Sequence, residues 1–272
     1  MSGSQSGQSV RRAVVLAAGR GSRMGSVTEA KPKCLVELAG KTLLEWQVEA
    51  LSRAGITDVT LVTGYREELL RGARHRTISN ARWREMNMVR SLMCAREILA
   101  SFPAIVSYAD ILYHPGALNA LLATNAGIAL TYDTRWEELW RERFADPLAD
   151  AESFEARDGW VVDIGRRMVS LDVIQGQYMG LLLFRPDGWR TAENLLAGMP
   201  AQSVDALDMT GMLSSLVSAG TRVAAVPVAG RWCEVDSAAD VALYERRLAE
   251  AARGGRPWAH DWRANPATDS AT

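Results

Sequence analysis

Ala13-Val14-Val15-Leu16-Ala17-Ala18-Gly19-Arg20-Gly21-Ser22-Arg23-Met24-Gly25 is the stretch that decides the fold. Residues 13–17 form a continuous apolar run, the pattern of a strand covered on both faces. The run passes straight into a segment punctuated by Gly19, Gly21 and Gly25. Glycine permits positive φ and lets a phosphate approach backbone N–H groups. Ligands of open α/β sheets bind beyond the carboxyl ends of the strands, where this loop lies. Arg23 and Lys33 bring two cations to it, and an arginine fork suits phosphate oxygens. The loop therefore reads as a phosphate cradle rather than a plain turn. Two commoner cradles are excluded by spacing: the segment is not Gly-x-x-x-x-Gly-Lys-Ser/Thr, and Met24 stands where a dinucleotide Gly-x-Gly-x-x-Gly needs its last glycine. An oxidoreductase is further disfavoured because no acidic residue about 20 positions beyond the loop closes a second strand, as a ribose contact requires.

Outward from this stretch, short β-rich runs alternate with helical patterns. Residues 43–54 have helical spacing, with Leu44, Val48 and Leu51 on one face and Gly55 as the stop. Strands are predicted at 59–62, 104–108 and 128–132, and helices at 88–99 and 118–124. This is the rhythm of βαβ units and hence of a mainly parallel sheet. From about residue 133 the rhythm changes. A short helix at 136–143 precedes strands at 152–155, 160–164 and 178–184 without long crossovers, which predicts an antiparallel part laid against the parallel sheet. A helix at 209–217, strands at 223–226 and 232–235, and a final amphipathic helix at 237–251 with Ser237 as N-cap complete the pattern. The expected fold class is α/β: a Rossmann-like mixed, mainly parallel sheet flanked by helices, with a smaller antiparallel part.

Bulk properties narrow the function classes. The 272 residues suit one α/β domain, and 48% hydrophobic with 23% charged residues is ordinary globular composition. A net charge of −1 gives no global case for nucleic-acid binding, so an anionic substrate must be held by local groups. No apolar run approaches the roughly 20 residues that cross a bilayer. Residues 1–10, rich in Ser, Gly and Gln, read as a flexible leader without a signal-peptide core, and residues 254–272 as a loose tail that Trp258 and Trp262 can dock back on the body. Cys34, Cys94 and Cys233 are scattered and odd in number, neither a disulfide framework nor a zinc spacing, so a reducing cytoplasm is the expected compartment.

Two aspartates stand out. Asp110 follows the strand at 104–108, and Asp236 follows the strand at 232–235, with Glu234 two residues before it. Taken alone, each is a helix cap or loop residue. A carboxylate at the end of a buried strand is costly unless it meets a cation, and Mg2+ takes a few carboxylate oxygens together with water and phosphate oxygens.

Leu16-Ala17-Ala18-Gly19-x-Gly21-Ser22-Arg23-Met24, followed by Lys31-Pro32-Lys33-Cys34-Leu35-Val36 and Gly40-Lys41-Thr42-Leu43-Leu44-Glu45, resembles the nucleotidyltransferases that make NDP-sugars and CDP-alcohols. Met24 and Cys34 replace the commoner Leu and Ala. The resemblance implies NTP phosphates over Leu16, Ala17, Ala18, Gly19, Gly21 and Ser22, charge neutralisation by Arg23 and Lys33, and Mg2+ held by Asp110 and Asp236. Asn80, then Asn87 and Ser91 at the mouth of a helix, resemble the phosphocholine cytidylyltransferase branch and imply CTP, since Asn and Ser can read the amide-like edge of a pyrimidine; plain helix capping is the alternative for Asn87.

The second half resembles the phosphonate cytidylyltransferases through Asp133-x-x-Trp136-x-x-x-Trp140-x-x-Arg143, Asp146-Pro147-Leu148-x-Asp150-Ala151-Glu152, Asp163-Ile164-Gly165, Gln175-Gly176-Gln177-Tyr178-Met179-Gly180 and Leu207-Asp208-Met209-Thr210. It implies CMP transfer from CTP to 2-aminoethylphosphonate or 2-hydroxyethylphosphonate, with Asp133, Trp136, Arg143, Glu152 and Tyr178 as expected acceptor contacts. Residues 11–132 would mainly bind NTP, 133–230 mainly the acceptor, and 231–253 carry the metal loop and closing helix. For a choline-like acceptor, Trp136, Trp140 and Tyr132 offer aromatic faces, although such a pair on a helix is more often packing. Other readings are a sugar-1-phosphate nucleotidyltransferase and an inactive NTP-binding relative. The apolar late segments are candidates for a homodimer face.

Overall fold

The computed structural model describes residues 9–71, 75–168 and 170–263; residues 1–8 of the expected leader and 264–272 of the expected tail lie outside them. In chain order, the first half contributes β1 (Arg12–Ala17), β2 (Glu37–Leu38), β3 (Lys41–Thr42), α1 (Leu43–Arg53), β4 (Asp58–Thr63) and β5 (Arg76–Ser79). Then come α2 (Met88–Cys94), α3 (Arg96–Ser101), β6 (Ala104–Tyr108), β7 (Ile111–Tyr113), α4 (Pro115–Leu122) and β8 (Ile128–Asp133). The second half contributes α5 (Trp136–Arg143), β9 (Glu152–Arg157), β10 (Trp160–Arg167), β11 (Gln177–Phe184), α6 (Pro186–Ala197) and α7 (Ala201–Ala206). It closes with α8 (Met209–Ser218), β12 (Ala224–Val228), β13 (Trp232–Glu234) and α9 (Ala238–Ala252).

Nine strands form one sheet in the order β5-β4-β1-β6-β11-β8-β12-β10-β9. β1 lies parallel to both β4 and β6, while β11 runs antiparallel between β6 and β8, and β10 antiparallel between β12 and β9. The mixed, mainly parallel α/β architecture is therefore as expected. The antiparallel part differs in placement. β9 and β10 extend the far edge of the same sheet rather than packing against it as a second layer.

β1 shows why the opening stretch settles this architecture. Side chains alternate across a strand. Ala13, Val15 and Ala17 enter the core under α1, α4 and α5, whereas Val14 and Leu16 enter the core under α2, α6 and α8. Both faces are buried, so no polar residue interrupts the run. α1 begins at a reciprocal capping box: Thr42 accepts from the Glu45 N–H, and the Glu45 carboxylate accepts from the Thr42 N–H. Such a cap contributes about 1 kcal/mol. The single helix expected at 88–99 is two helices that meet at Ala95, whose buried position follows Cys94.

Over its described part the tail is docked on the body through Trp258 and Trp262, as the sequence allowed. Trp262 is buried and meets Trp46 edge to face at 5.9 Å, and His260 is buried as well. No helix among the described residues is long and apolar enough to cross a membrane.

Candidate active site

The loop after β1 turns through Gly21 at φ 69° and a short 3-10 segment, Ser22–Thr28. Gly21 has a second role: a Cβ there would lie 2.9 Å from Cδ of Lys33, so the missing side chain lets the lysine cross beneath the loop. Lys33 then reaches the carboxyl ends of the strands. Its Nζ donates to Asp110 Oδ2 at 2.8 Å and to Asp236 Oδ1 at 2.7 Å.

The acids are gathered by a three-residue antiparallel ribbon. β13 pairs with β7 so that Glu234 stands opposite Ile111, and the Val235 N–H donates to the Asp110 carbonyl at 2.9 Å. The ribbon thereby fixes Asp110, Glu234 and Asp236, whose carboxylate oxygens lie within 4.8 Å of one another. Asp236 leads into α9, whose own capping box, Ser237 with Asp240, holds the Asp236 N–H at 2.9 Å from Asp240 Oδ2.

Three cations answer the three acids. Beside Lys33, the Arg23 guanidinium donates to Asp236 Oδ1 at 2.8 Å and lies 3.8 Å from Asp150, with 64% of its side chain exposed. Arg143 is wholly buried beneath the cluster and binds Asp236 at 3.1 Å, Asp240 at 3.0 Å and Glu234 at 3.5 Å. Burial alone would lower the Lys33 ammonium, but Asp110, Asp236 and Glu234 outweigh it and raise it above its ordinary value. Burial alone would raise Asp236, but Lys33, Arg23 and Arg143 hold its carboxyl below the usual range. Glu234 is pushed upward by burial and by the neighbouring Asp236 and Asp110 charges, despite Arg143.

The donor set is all oxygen, which suits a hard divalent cation such as Mg2+. Asp110 Oδ1 is buried and has no hydrogen-bond partner, an acceptor position that such an ion would satisfy. The residues present therefore fit a divalent ion, with Lys33 supplying part of the same neutralising charge.

A cleft of about 290 Å³ opens beside the cluster. Leu16, Ala17, Ala18, Gly19, Gly21, Ser22, Arg23, Lys33 and Asp110 line it together with Asn87 and Ser91. Asn80 is buried behind them and donates to Ser91 Oγ at 3.0 Å instead of lining the cleft. Asn87 accepts from the Met88 N–H at the start of α2 and donates to the Ala206 carbonyl, so it caps a helix while lining the cleft. Sequence reading missed Trp83, Met86 and Tyr108 in this wall, and Glu234, noted in the sequence only as lying two residues before Asp236, joins the acid cluster. The strand-to-turn position of Tyr108 just before Asp110 was a usable signal; Trp83 lies in an irregular turn with none.

The expected acceptor contacts divide. Glu152 is half-buried; burial raises its carboxyl and Asp208 adds to the rise, with Thr210, Arg167 and Asp150 around it, and it is not among the residues that line the cleft. Tyr178 stands edge to face on Tyr108 at 5.7 Å and so backs the cleft wall. The other three are corrected. Asp133 is buried and accepts from the Gly230 and Arg135 N–H groups, which makes it an anchor of the chain turn. Trp136 is buried against Trp140, and Trp140 stacks on Trp232 at 6.0 Å, so this helix offers a packed aromatic face and no cage for a cation. Tyr132 is stacked on Phe154. Arg143 has a fully buried side chain whose ion pairs go to carboxylates from β13 and α9, so it faces the acid cluster from beneath rather than a small acceptor.

Comparison with known families matches residues 13–253 to the MobA-like NTP transferase domain. The chain belongs to the MobA-like NTP transferase family. It is similar to a CTP:phosphoglutamine cytidylyltransferase of Campylobacter jejuni, 31% identical over 248 residues that cover 84% of this chain and 97% of the relative. It is also similar to a 2-aminoethylphosphonate cytidylyltransferase of Lancefieldella rimae, 29% identical over 104 residues, 36% of this chain and 42% of the relative. Among solved structures, the inositol-1-phosphate CTP transferase of T. maritima superposes with a TM-score of 0.68 at 22% identity, over 88% of this chain and 96% of the other, which establishes the shared fold. A MobA-like NTP transferase with this acid and cation cluster at its strand ends is a nucleotidyltransferase, as the sequence motifs led one to expect.

Proposed function

We propose that this MobA-like NTP transferase transfers CMP from CTP to a small acceptor carrying a phosphate or phosphonate oxyanion, and releases pyrophosphate. The observation that carries the reading is the Lys33 ammonium, which bridges Asp110 and Asp236 in a glycine-lined cleft. The NTP phosphates would lie along the loop from Leu16 to Ser22 toward this cluster. The pyrimidine would lie beside Asn87 and Ser91, which offer hydrogen bonds, and Trp83, which offers an aromatic face. The full-length similarity to a CTP-dependent enzyme supports CTP.

In this reading an acceptor oxygen attacks the α-phosphorus in line, the bond from the α-phosphorus to the bridging oxygen of the β-phosphate breaks, and pyrophosphate leaves with that electron pair. The acceptor is already ionised, so no general base is required. Lys33 and Arg23 neutralise the charge that moves toward the leaving group, and the loop aligns the reactants. Asp110 and Asp236, with Glu234 beside them, would hold Mg2+, which supplies further charge stabilisation on the phosphate oxygens. Glu152, near Asp150 and Asp208, would meet the acceptor's tail.

Two acceptor classes are supported, phosphonates by the second-half motifs and a phosphorylated amide by the full-length relative. Pyrophosphate release is measured with Mg2+ across the four NTPs and five acceptors: 2-aminoethylphosphonate, 2-hydroxyethylphosphonate, phosphoglutamine, phosphocholine and glucose 1-phosphate. Release with CTP and one of the first four supports the reading and names the acceptor. Release only with glucose 1-phosphate makes the protein a sugar nucleotidyltransferase, and no release with any pair removes the reading.

A further inference from the structure

We propose that residues 256–263, beyond the segment that matches the family, form a strap that positions the acid cluster, with Trp258 and His260 as its positioning residues. The inference rests on the cation site proposed above. Its basis is the outer edge of β13.

β13 has three residues and pairs on one side, with β7. So short a ribbon is marginal by itself. Backbone groups alternate along a strand, so Trp232 and Glu234 present their carbonyls on the edge away from β7, while Arg231 and Val235 bond toward the β7 side through His114 N and Asp110 O. Both outward carbonyls are taken up by side chains. His260 Nδ1 lies 3.0 Å from the Trp232 carbonyl, and because a carbonyl can only accept, that nitrogen carries the proton. The Tyr244 hydroxyl donates to the Glu234 carbonyl at 2.7 Å, and Trp258 packs on the Tyr244 ring with centroids 5.2 Å apart.

The strap is itself seated by the backbone. The Arg231 N–H donates to the Ala259 carbonyl at 2.7 Å, and Gly230, at φ 68°, lets that carbonyl approach where a Cβ would lie 2.5 Å from it. Asp133 then fills the remaining side, accepting from Gly230 and lying 3.6 Å from His260 Nδ1. Trp258 is thus assigned to the strap, in line with its expected docking on the body, and Asp133, expected as an acceptor contact, anchors it instead. His260 is 1% exposed, so the contact is shielded from water and holds β13 from behind.

The consequence reaches the site because Glu234 is the last residue of β13 and Asp236 follows two residues later. Carboxylates that must converge within 4.8 Å tolerate little drift of the strand that carries them. Residues behind a metal ligand typically change metal affinity by 10–100-fold when removed.

The test is Mn2+ binding to the substrate-free, full-length protein, followed by electron paramagnetic resonance, together with the Mg2+ concentration that gives half-maximal pyrophosphate release. His260→Ala is expected to weaken Mn2+ binding by about 10-fold or more and to raise the Mg2+ requirement by the same factor, with KM for CTP unchanged. His260→Asn, whose amide can donate to the Trp232 carbonyl as Nδ1 does, is expected to recover most of the affinity. Trp258→Leu, a milder change, is expected to shift both quantities in the same direction and serves if His260→Ala does not fold. Unaltered Mn2+ affinity and Mg2+ requirement in folded variants, with only a lower Tm, would overturn the proposal, as would a wild-type protein that binds no Mn2+. Loss of Mn2+ binding in His260→Ala when the wild type turns over none of the acceptors would support the strap while removing the proposed reaction.

Discussion

Lys33→Met isolates the contribution of the cation at the centre of the site. Methionine keeps the apolar stem under Gly21 and removes only the ammonium. Lys33 is 8% exposed, and the change removes two charge-assisted hydrogen bonds, at 2.8 Å to Asp110 and 2.7 Å to Asp236. Deleting one partner of a buried ion pair costs about 3–5 kcal/mol, because the other charge is left uncompensated. Here Asp236 keeps Arg23 and Arg143, and Asp110 is partly exposed, so the lower end applies, about 3 kcal/mol. For a chain of this size each kcal/mol moves Tm by about 2–4 °C, which gives a fall of about 6–12 °C in the presence of a chelator. An ion that binds only the folded state stabilises by mass action, so excess Mg2+ should recover more Tm in the variant than in the wild type. Catalysis should fall by about 10²–10³ in kcat, the effect of losing one preorganised charge at a developing anion. Differential scanning calorimetry with and without Mg2+, and pyrophosphate release at saturating CTP, measure the two effects. A variant within about 2 °C and about threefold of the wild type would refute the assignment of Lys33 as the bridge between the acids.

The remaining predictions address separate parts of the molecule. Asp110→Asn should lower turnover by about 10²-fold or more while circular dichroism and Tm stay near wild type; full activity with Mg2+ would remove Asp110 from the mechanism. Trp136→Ala should cost about 3–5 kcal/mol in a denaturant titration and leave the acceptor KM unchanged, since the indole is packed in the core; a raised KM at unaltered stability would restore it as an acceptor contact. Burial pushes the Cys34 thiol up to about 12 and raises Cys233 as well, so both stay protonated and shielded at pH 8. Thiol titration of the native protein at that pH should therefore report Cys94 alone, with Cys34 and Cys233 reacting only after denaturation.

How much of this was legible in the sequence depended on whether a signal was local. β1 and β6 were readable because burial on both faces leaves an uninterrupted apolar run, and the final helix because Ser237 and its partner Asp240 form a cap three residues apart. β5 was not readable: Arg76, Thr77 and Ser79 are exposed on a sheet edge, so no apolar pattern marks them. α6 was left unassigned although Pro186 at its first turn and the buried Trp189, Ala192 and Leu196 stripe carry a helical period. The glycine spacing of the loop, with Arg23 and Lys33 beside it, is a short-range feature and marked the loop directly, whereas Asp110 and Asp236, each a cap or loop residue when taken alone, were singled out by the family resemblance.

The acceptor side failed for the opposite reason. A charged or aromatic residue on a short helix points to solvent, substrate or core according to what folds against it, and that information lies far away in the chain. Arg143 reads as an exposed base until Glu234, Asp236 and Asp240, more than 90 residues later, close over it. The same distance explains its chemistry. Three carboxylates brought together repel one another, and burial worsens the repulsion. Lys33 from the loop side, Arg23 from the rim and Arg143 from beneath together offset that cost, so the acids can be held converged before any ion or nucleotide arrives. Of the three, only the Arg143 side chain is wholly shielded from solvent, which makes it the fixed counter-charge; in the proposed reaction Lys33 and Arg23 would then exchange carboxylate partners for the phosphate oxygens of CTP.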